Sequence, residues 1–295
     1  MEIKNVIICG LGALGLTYAN KLKNVCNLKI LANKERVEKY KENPPTLNNI
    51  PIKLDYILPE ENWDTDLIII STKTTGLDSA LEYIKNFVNK NTVIISLING
   101  ISSEEKIASI YGKENIVKSY FIGHSAMRKE NNVLQDGIGK IVLEPNQKLE
   151  TFFKNHNIDY EICENIQYSM WLKLGVNIIL NQPSAIYKMT VGELRNLPEY
   201  YPLAKKLLNE VADVAKVVGI KNIDNYEEEV LESIKLIADD GKTSMLQDIL
   251  AQRKTEVDIF SGEIIKLGKI YGIKTPYNED IYNKIKSIER DFSWT

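Results

Sequence analysis

A chain of 295 residues is long enough for two domains of ordinary size, and its 44% apolar content is typical of a globular protein. A formal net charge of −3 provides no basic surface for nucleic acid or an anionic membrane, and no apolar run reaches the roughly 18 residues of a membrane span. Three distant cysteines without metal-ligand spacing, and no basic or apolar leader, predict reduced thiols in a cytoplasmic protein without a metal site.

The first half of the chain alternates short apolar runs with amphipathic stretches. The apolar runs are β-branched and nearly continuous, as expected of parallel strands that are covered on both faces. They lie at residues 6–9, 28–31, 67–70, 93–98 and 116–122, and a run at 141–144 is expected to close the sheet. Helical patterns lie between them at residues 13–23, 76–89 and 103–111. This series predicts an α/β domain with a doubly wound, Rossmann-type parallel sheet over residues 1–164.

A glycine-rich turn follows the first predicted strand and opens the first predicted helix. Its residues match the pattern G-x-G-x-x-G and are Gly10, Leu11, Gly12, Ala13, Leu14 and Gly15. Gly10 would permit a tight turn, Gly12 the approach of a pyrophosphate to the backbone, and Gly15 close packing of helix on strand. The pattern predicts dinucleotide binding, and the alternative is a turn with a structural role only.

The residues after the second predicted strand bear on the choice of dinucleotide. Glu35 has the spacing of a carboxylate that binds the ribose of NAD. The strand ends near Ala32, however, and Asn33, Lys34 and Arg36 favour a 2′-phosphate. The sequence therefore favours NADP(H) over NAD(H).

Polar residues also follow the next two predicted strands. Lys73 follows the strand at 67–70 and Asn99 the strand at 93–98, so both are expected at the carboxyl edge of the sheet, where ligands of such sheets bind. Taken alone, a solvated loop lysine and a turn-forming Asn-Gly dipeptide are equally good interpretations.

The second half of the chain has helical periodicity, which predicts an all-helical domain over residues 165–295. The predicted helices are at residues 166–180, 203–218, 226–238, 244–271 and 279–289.

The first of these helices is apolar apart from a polar stripe. On an α-helix, Lys173, Asn177 and Asn181 advance by about 40° per step and span about 12 Å. Unsatisfied amide and ammonium groups on a packed helix would cost about 1 to 3 kcal/mol each or more. A lysine that reaches solvent and two asparagines bonded to loops would satisfy them, but three polar groups in register favour a ligand.

A second polar set lies at residues 244–258. Ser244 and Gln247 fit the S-x-x-Q capping box of a helix that, if unbroken, reaches Glu256 about 18 Å further along its axis. The two side chains could then address opposite ends of a bound molecule. By itself, Glu256 is typical of a surface helix carboxylate.

Together these segments resemble the ketopantoate reductase (2-dehydropantoate 2-reductase) family over essentially the whole chain. The matching motifs are G-L-G-A-L-G from Gly10, Lys73, L-I-N-G ending at Gly100, His124 followed by Ser125-Ala126, W-x-K-L-x-x-N-x-x-x-N from Trp171, and S-M-L-Q-D with R-K-T-E-V-D between Ser244 and Asp258.

The resemblance implies NADPH-dependent reduction of 2-dehydropantoate to (R)-pantoate, on the pathway to pantothenate and coenzyme A. It implies that Lys173 is the general acid that protonates the ketone oxygen, and that Glu256 positions Lys173 or meets the substrate hydroxyl. The implied substrate-binding residues are Asn99, Asn177, Asn181 and Ser244. The implied cofactor-binding residues are Gly10, Leu11, Gly12, Ala13, Leu14, Gly15, Asn33, Lys34, Lys73 and Asn99.

Three segments depart from the pattern of that family. Proline follows Asn181 one place later than in the family's Asn-Pro, and Asn33 stands where the family often has an arginine. His124 lies in a variant of the family's Thr-His-Gly segment, and we interpret it as structural.

Two other functions stay open, a reductase of another branched 2-oxoacid and a non-catalytic NADP(H)-binding sensor. Lys173 and Glu256 argue against the sensor, because binding alone does not need an acid beside the cofactor. The expected partner is a small 2-oxoacid rather than nucleic acid or a membrane. The oligomeric state is open, with a homodimer among the candidates.

Overall fold

The structure is a computed structural model that describes residues 2–123, 125–136 and 139–292. The chain divides into two compact units, Met1–Ile166 and Gln167–Thr295. Strands and helices alternate in the first unit, whereas the described residues of the second unit form helices and turns.

The first unit contains thirteen strands and five α-helices within its described residues. The strands are β1 (Asn5–Cys9), β2 (Asn27–Leu31), β3 (Thr46–Leu47), β4 (Ile50–Pro51), β5 (Tyr56–Ile57), β6 (Leu67–Ile70), β7 (Val93–Ser96), β8 (Ile116–Val117), β9 (Ser119–Ile122), β10 (Ser125–Lys129), β11 (Asn132–Asp136), β12 (Lys140–Leu143) and β13 (Tyr160–Ile162). The helices are α1 (Ala13–Leu22), α2 (Lys34–Glu42), α3 (Leu77–Ile84), α4 (Ser103–Tyr111) and α5 (Gln147–Asn155).

A six-stranded sheet is the centre of this unit. Its strand order is β5-β2-β1-β6-β7-β8, and every neighbouring pair is parallel. The order reverses between β1 and β6, which is the switch point where doubly wound sheets bind their ligands. The predicted Rossmann-type sheet is thus confirmed.

Alternate residues of the strands pack into two separate apolar clusters. Val6 and Ile8 of β1 belong to one cluster, and Ile7 and Cys9 belong to the other. Both faces are therefore buried, which explains why the strand sequences are continuously apolar. Burial also raises the pKa of the Cys9 thiol to about 12, so this thiol stays protonated and unreactive.

Two predicted strands differ from the structure. The run at 116–122 divides at Lys118 into β8, which stays in the parallel sheet, and β9, which leaves it. The run at 141–144 does not close the six-stranded sheet, because β12 pairs with β9 and β13 in a separate three-stranded sheet. The Lys118 amide donates to the Glu144 carboxylate (2.8 Å), and this bond holds the chain where it changes sheets.

A third sheet was not predicted. It has the order β10-β11-β3-β4, and its parallel pair joins Thr46 and Leu47 to Asn132 and Val133. It contacts α1, where the Thr17 hydroxyl donates to the Gln135 side-chain oxygen (3.0 Å).

The second unit consists of packed helices. They are α6 (Ile166–Val176), a π-helical segment (Asn177–Asn181), α7 (Gln182–Tyr187), α8 (Val191–Arg195), α9 (Tyr200–Val218), α10 (Tyr226–Lys235), α11 (Ser244–Leu250), α12 (Ser261–Tyr271) and α13 (Pro276–Arg290). Buried residues of α9 recur at helical spacing, at Leu207, Val211 and Val214, so one face of that helix packs inside the unit. Among the described residues, no helix combines the length and apolar character needed to cross a membrane.

Two predicted helices of this unit are broken. The helix at 166–180 changes from α to π at Asn177. The helix at 244–271 ends at Leu250 and a new one begins at Ser261, so the expected 18 Å axial separation of Ser244 and Glu256 does not apply.

Candidate functional site

The glycine-rich turn joins β1 to α1 at the switch point of the sheet. Gly10 has φ +103°, and a Cβ there would lie 2.8 Å from Thr72. A Cβ on Gly15 would lie 1.9 Å from the Gly10 carbonyl oxygen, so both positions need glycine. A Cβ on Gly12 would meet only the Ser71 carbonyl oxygen at 3.6 Å, which is ordinary contact. The space beside Gly12 is therefore open.

The N-terminus of α1 has features that fit a phosphate group. Gly12 is the N-cap residue, and no side chain caps the helix. The hydroxyls of Thr72 and Thr74, in the loop after β6, are buried and have no hydrogen-bond partner in the described part of the chain. Backbone N–H groups, the helix dipole and nearby hydroxyl donors together suit an anion, so these residues fit the diphosphate of a dinucleotide.

The loop after β6 also supports the turn itself. The Ser71 hydroxyl donates to the Gly10 carbonyl (2.8 Å), and the Ser71 amide donates to the Cys9 carbonyl (2.9 Å). Lys73 follows as an exposed residue at the start of a short 3-10 turn. The structure thus brings Gly10 and Lys73 to the same edge of the sheet.

Asn99 follows the neighbouring strand β7, in a loop held by buried hydroxyls. The Ile98 amide donates to Ser96 Oγ (3.4 Å), which lies 3.0 Å from Ser103 Oγ. The Ser103 hydroxyl donates in turn to the buried Glu104 carboxylate (2.9 Å). Asn99 itself is half-buried at the carboxyl edge that carries the glycine-rich turn.

Asn33 and Lys34 lie at the start of α2, after β2. The Asn33 side-chain oxygen accepts from the Arg36 amide (3.0 Å), so Asn33 is the N-cap of this helix, a role that the sequence analysis did not assign. Lys34 is exposed, with its ammonium 4.0 Å from the Glu38 carboxylate. Two exposed cations, Lys34 and Arg36, therefore follow the capping Asn33 after β2.

In the second unit, Lys173, Asn177 and Asn181 are all half-buried. Asn181 Nδ2 donates to Asn177 Oδ1 (3.2 Å), so the structure joins the two amides directly. Asn177 Nδ2 is buried and has no hydrogen-bond partner among the described residues. A buried donor without an acceptor costs about 1 to 3 kcal/mol, which an oxygen atom of a ligand would remove.

The π-helical segment changes the alignment of this stripe. The step from Lys173 to Asn177 advances by about 40° on an α-helix. Within a π segment of about 4.4 residues per turn, the step from Asn177 to Asn181 turns back by about 30°. Lys173 and Asn181 therefore point in nearly the same direction around the helix axis, whereas on a continuous α-helix their directions would differ by about 80°. Pro183 supplies the cause, because its ring would collide with the Ile179 carbonyl in a regular α-helix.

Tyr226 of α10 holds the helix that carries Lys173. Its fully buried hydroxyl donates to the Trp171 carbonyl (2.7 Å), and burial keeps the pKa of Tyr226 well above its ordinary value. A Cβ on Gly175 would lie 2.4 Å from this hydroxyl oxygen. Glycine between Lys173 and Asn177 is therefore what allows α10 to approach.

Ser244 is the exposed first residue of α11, and it does not cap that helix. Thr243 is the N-cap instead, and its hydroxyl accepts from the Leu246 amide (3.2 Å). The predicted capping box of Ser244 and Gln247 is wrong, since Gln247 Nε2 donates to the Lys242 carbonyl. Because Thr243 is the cap, Ser244 is not needed for that role, and it is exposed at the N-terminus of α11.

Glu256 lies in a non-helical connection rather than on a helix. Helix α11 ends in a Schellman motif in which Arg253 donates to the Asp248 carbonyl (2.8 Å) and Gln252 has φ +50°. The Arg253 side chain also donates to the Asp248 carboxylate (2.8 Å). The helix is thereby closed before it reaches Glu256, which is half-buried.

Residues on both sides of Glu256 are attached to α13. On one side, the Thr255 amide and hydroxyl donate to the buried Glu289 carboxylate (2.7 and 2.6 Å). On the other side, Asp258 accepts from Lys286 and Tyr282 (2.9 Å each). Burial raises the pKa of Asp258, but these hydrogen bonds outweigh burial and hold that pKa below its ordinary value.

A buried polar network begins at Gln182, directly after Asn181 in the chain, and sequence reasoning missed it. Gln182 donates to Ser261 (2.8 Å), Ser261 donates to Asn278 (2.7 Å), and Asn278 donates to Glu210 (2.8 Å). All four side chains are buried. The signal available in the sequence was the polar Gln182 directly after an apolar helix.

The remaining predictions about the site concern His124 and metals. His124 lies outside the described residues. Within the described ranges, no cluster of three or more His, Cys, Asp or Glu side chains is placed to hold a metal ion.

Two family models match the chain in succession. The model described as ketopantoate reductase PanE/ApbA matches residues 6–148, and the model of the C-terminal part of the same protein matches residues 165–289. The matched ranges follow the two compact units and include all the candidate residues above.

Individual proteins match over nearly their full length. The 2-dehydropantoate 2-reductase of Aquifex aeolicus is 27% identical over 97% of this chain and 97% of its own. That of Pyrococcus horikoshii is 28% identical over 96% of this chain and 97% of its own. A solved structure of D-mandelate dehydrogenase with NADH and anilino(oxo)acetate is 25% identical, with a TM-score of 0.86 over 98% of this chain and 100% of that chain.

Proposed function

The chain belongs to the ketopantoate reductase family, and on this basis we propose that it reduces 2-dehydropantoate to (R)-pantoate with NADPH. The observation that carries the proposal is the helix that presents Lys173 with the bonded pair Asn177 and Asn181, where a buried amide N–H group lacks an acceptor. A 2-oxoacid has carbonyl and carboxylate oxygens that would supply one.

NADPH supplies, when bound, the hydride that adds to C2 of the oxoacid. The turn from Gly10 to Gly15 would hold the diphosphate, because its amides at the start of α1 have no side-chain cap and the space at Gly12 is open. Asn33 and Lys34 would bind the 2′-phosphate. Lys73 and Asn99 would contact the cofactor from the loops after β6 and β7.

Lys173 would be the general acid. As the ketone becomes an alcohol, its oxygen gains negative charge, and a neighbouring ammonium both stabilises that charge and donates the proton. A half-buried site strengthens this effect, because fewer water molecules screen the ammonium from the oxygen.

The neutral donors proposed to bind the substrate suit its other polar groups. Asn177 and Asn181 present a joined pair of amides, and Ser244 an exposed hydroxyl, so each could bind a carboxylate or hydroxyl group. Asn99 is proposed as a further substrate-binding residue. Glu256 would position Lys173 or accept from the substrate hydroxyl. Attachment of Thr255 and Asp258 to α13 limits the movement of Glu256.

The decisive experiment measures NADPH oxidation with 2-dehydropantoate. We expect turnover by the wild-type protein, and at least about a hundredfold lower kcat in Lys173→Ala and in Glu256→Ala. Lys216→Ala, which removes an exposed lysine of α9, is the matched control and should leave kcat unchanged. Circular dichroism should show that all variants are folded. Wild-type-like kcat in Lys173→Ala would refute its assigned role.

The preference for NADPH is a separate proposal. Lys34 and Arg36 are exposed cations after β2, and a 2′-phosphate would pair with either. We expect a KM for NADPH at least tenfold below that for NADH, and a smaller ratio in the double variant Lys34→Ala, Arg36→Ala. A tenfold preference for NADH would refute this proposal.

A second candidate reaction is the reduction of an aryl-substituted 2-oxoacid. It is favoured by the likeness over nearly the whole chain to D-mandelate dehydrogenase. Comparing kcat/KM for 2-dehydropantoate, phenylglyoxylate and branched 2-oxoacids separates the two reactions. Tight NADPH binding without turnover of any oxoacid would favour a sensor instead.

A further inference from the structure

A chain of buried hydrogen bonds connects the π-helical segment to the start of α11. Ser184 Oγ lies 2.6 Å from Thr243 Oγ1 and donates to the Asn181 carbonyl at 3.1 Å. Thr243 Oγ1 accepts from the Leu246 amide at 3.2 Å. Ser184 is fully buried and Thr243 is 9% exposed, so water has little access to the connection.

The hydroxyl protons fix the direction of this chain. Each hydroxyl has one proton to donate. Because Ser184 donates its one hydroxyl proton to the Asn181 carbonyl, the proton between the Ser184 and Thr243 hydroxyls comes from Thr243. The order is therefore Leu246 N–H to Thr243, Thr243 to Ser184, and Ser184 to Asn181, with each donor and acceptor used consistently.

We propose that Ser184 and Thr243 are positioning residues of the substrate site, which set the place of Asn181 relative to Ser244. This inference rests on the proposed function, in which Asn181 and Ser244 bind the substrate. Asn181 carries the carbonyl at one end of the chain, and Ser244 directly follows Thr243 at the other. Helices α7 and α11 are in contact, and this chain joins them at the ends that carry those residues.

The connection should affect binding of the oxoacid more than binding of the cofactor. The chain lies within the second unit, whereas the glycine-rich turn lies in the first. Its loss would misplace two substrate donors and leave the cofactor residues as they are. A change of this kind appears in KM for the oxoacid, because the misplaced groups bind the substrate rather than react with it.

Ser184→Ala is the main test, because it breaks the connection and keeps the Thr243 cap of α11. Ser233→Ala is a matched control, since the Ser233 hydroxyl donates to the Val230 carbonyl three residues earlier (2.7 Å), as Ser184 does to Asn181, but lies on α10. We expect Ser184→Ala to raise KM for the oxoacid about fivefold, the effect of about 1 kcal/mol, with KM for NADPH within about twofold of wild type.

A second pair of variants tests Thr243. Thr243→Ser keeps the hydroxyl and should retain the wild-type KM, whereas Thr243→Val keeps the shape, loses the hydroxyl and should raise KM. If Thr243→Val fails to fold, Ser184→Ala and Thr243→Ser still decide the matter.

Unchanged KM for the oxoacid in Ser184→Ala, or an equal rise in Ser233→Ala, would overturn the inference while the proposed function stands. Absence of wild-type turnover on every 2-oxoacid would overturn the proposed function and this inference with it.

Discussion

Substituting Gly12 separates cofactor binding from folding. Gly12 has φ −70°, which any residue adopts, and a new Cβ would meet only the Ser71 carbonyl oxygen at 3.6 Å. Gly12→Ala should therefore fold. The methyl group occupies the open space beside the N-terminus of α1, where the diphosphate is proposed to lie.

Gly12→Ala is expected to change Tm little and to weaken NADPH binding clearly. Alanine is a poorer N-cap than glycine, which lowers the stability of the variant. Alanine also restricts the unfolded chain, which raises the stability by about 0.4 to 1 kcal/mol. The two effects oppose each other, so Tm should stay within about 3 °C of wild type. Overpacking costs about 1 to 3 kcal/mol, which corresponds to a rise of about 5-fold to 150-fold in Kd for NADPH.

Fluorescence titration with NADPH and a thermal melt measure the two quantities on one sample. Gly15→Ala is the contrasting variant, because its Cβ would lie 1.9 Å from the Gly10 carbonyl oxygen, and it should lose both stability and NADPH binding. A Gly12→Ala protein that binds NADPH with wild-type Kd would refute the placement of the diphosphate.

Two further predictions concern stability. Gly175→Ala should lower the free energy of unfolding by about 1 to 3 kcal/mol, because its Cβ would lie 2.4 Å from the Tyr226 hydroxyl oxygen, and Tyr226→Phe should relieve part of that cost. Urea titration of the single and double variants checks this, and strictly additive costs would contradict it. Because the pKa of Asp258 is lowered by folding, its pairing should stabilise the protein above about pH 4 and cease to do so as the pH falls through the folded pKa. The Tm difference between wild type and Asp258→Asn should therefore close in acid, and a difference independent of pH would contradict the pairing.

Local patterns were enough to predict the parallel sheet and its glycine-rich turn. Residues 6–9 are continuously apolar because both faces of β1 are buried, and the adjacent G-x-G-x-x-G has only one good structural context. The predicted helix at 103–111 likewise coincides with α4, because its pattern is also local in the sequence. These features depend on neighbours in the sequence.

Features that depend on distant residues could not be predicted. The pairing of β3 with β11 joins residues far apart in the chain, and two-residue strands have no periodicity to detect. The end of α11 is set by Gln252 in a left-handed conformation that glycine usually occupies, so the sequence carried no stop signal. Thr243 was not predicted as a cap because Ser244 beside it has a glutamine three residues later and so fits the capping-box pattern, whereas Thr243 has Leu246 at that place.

The π-helical segment also bears on how this chain tolerates changes in length. A π turn closes its backbone ring with one residue more than an α turn. Removing one residue from Asn177–Asn181 would take out the extra residue of the π turn and leave an α-helix kinked at Pro183, while the buried contacts of Gln182 and Ser184 on its far side keep their places. The same deletion within α6 would rotate every later residue by about 100°. A single-residue deletion can thus be absorbed where the substrate groups are proposed to lie, so their spacing can evolve separately from the core.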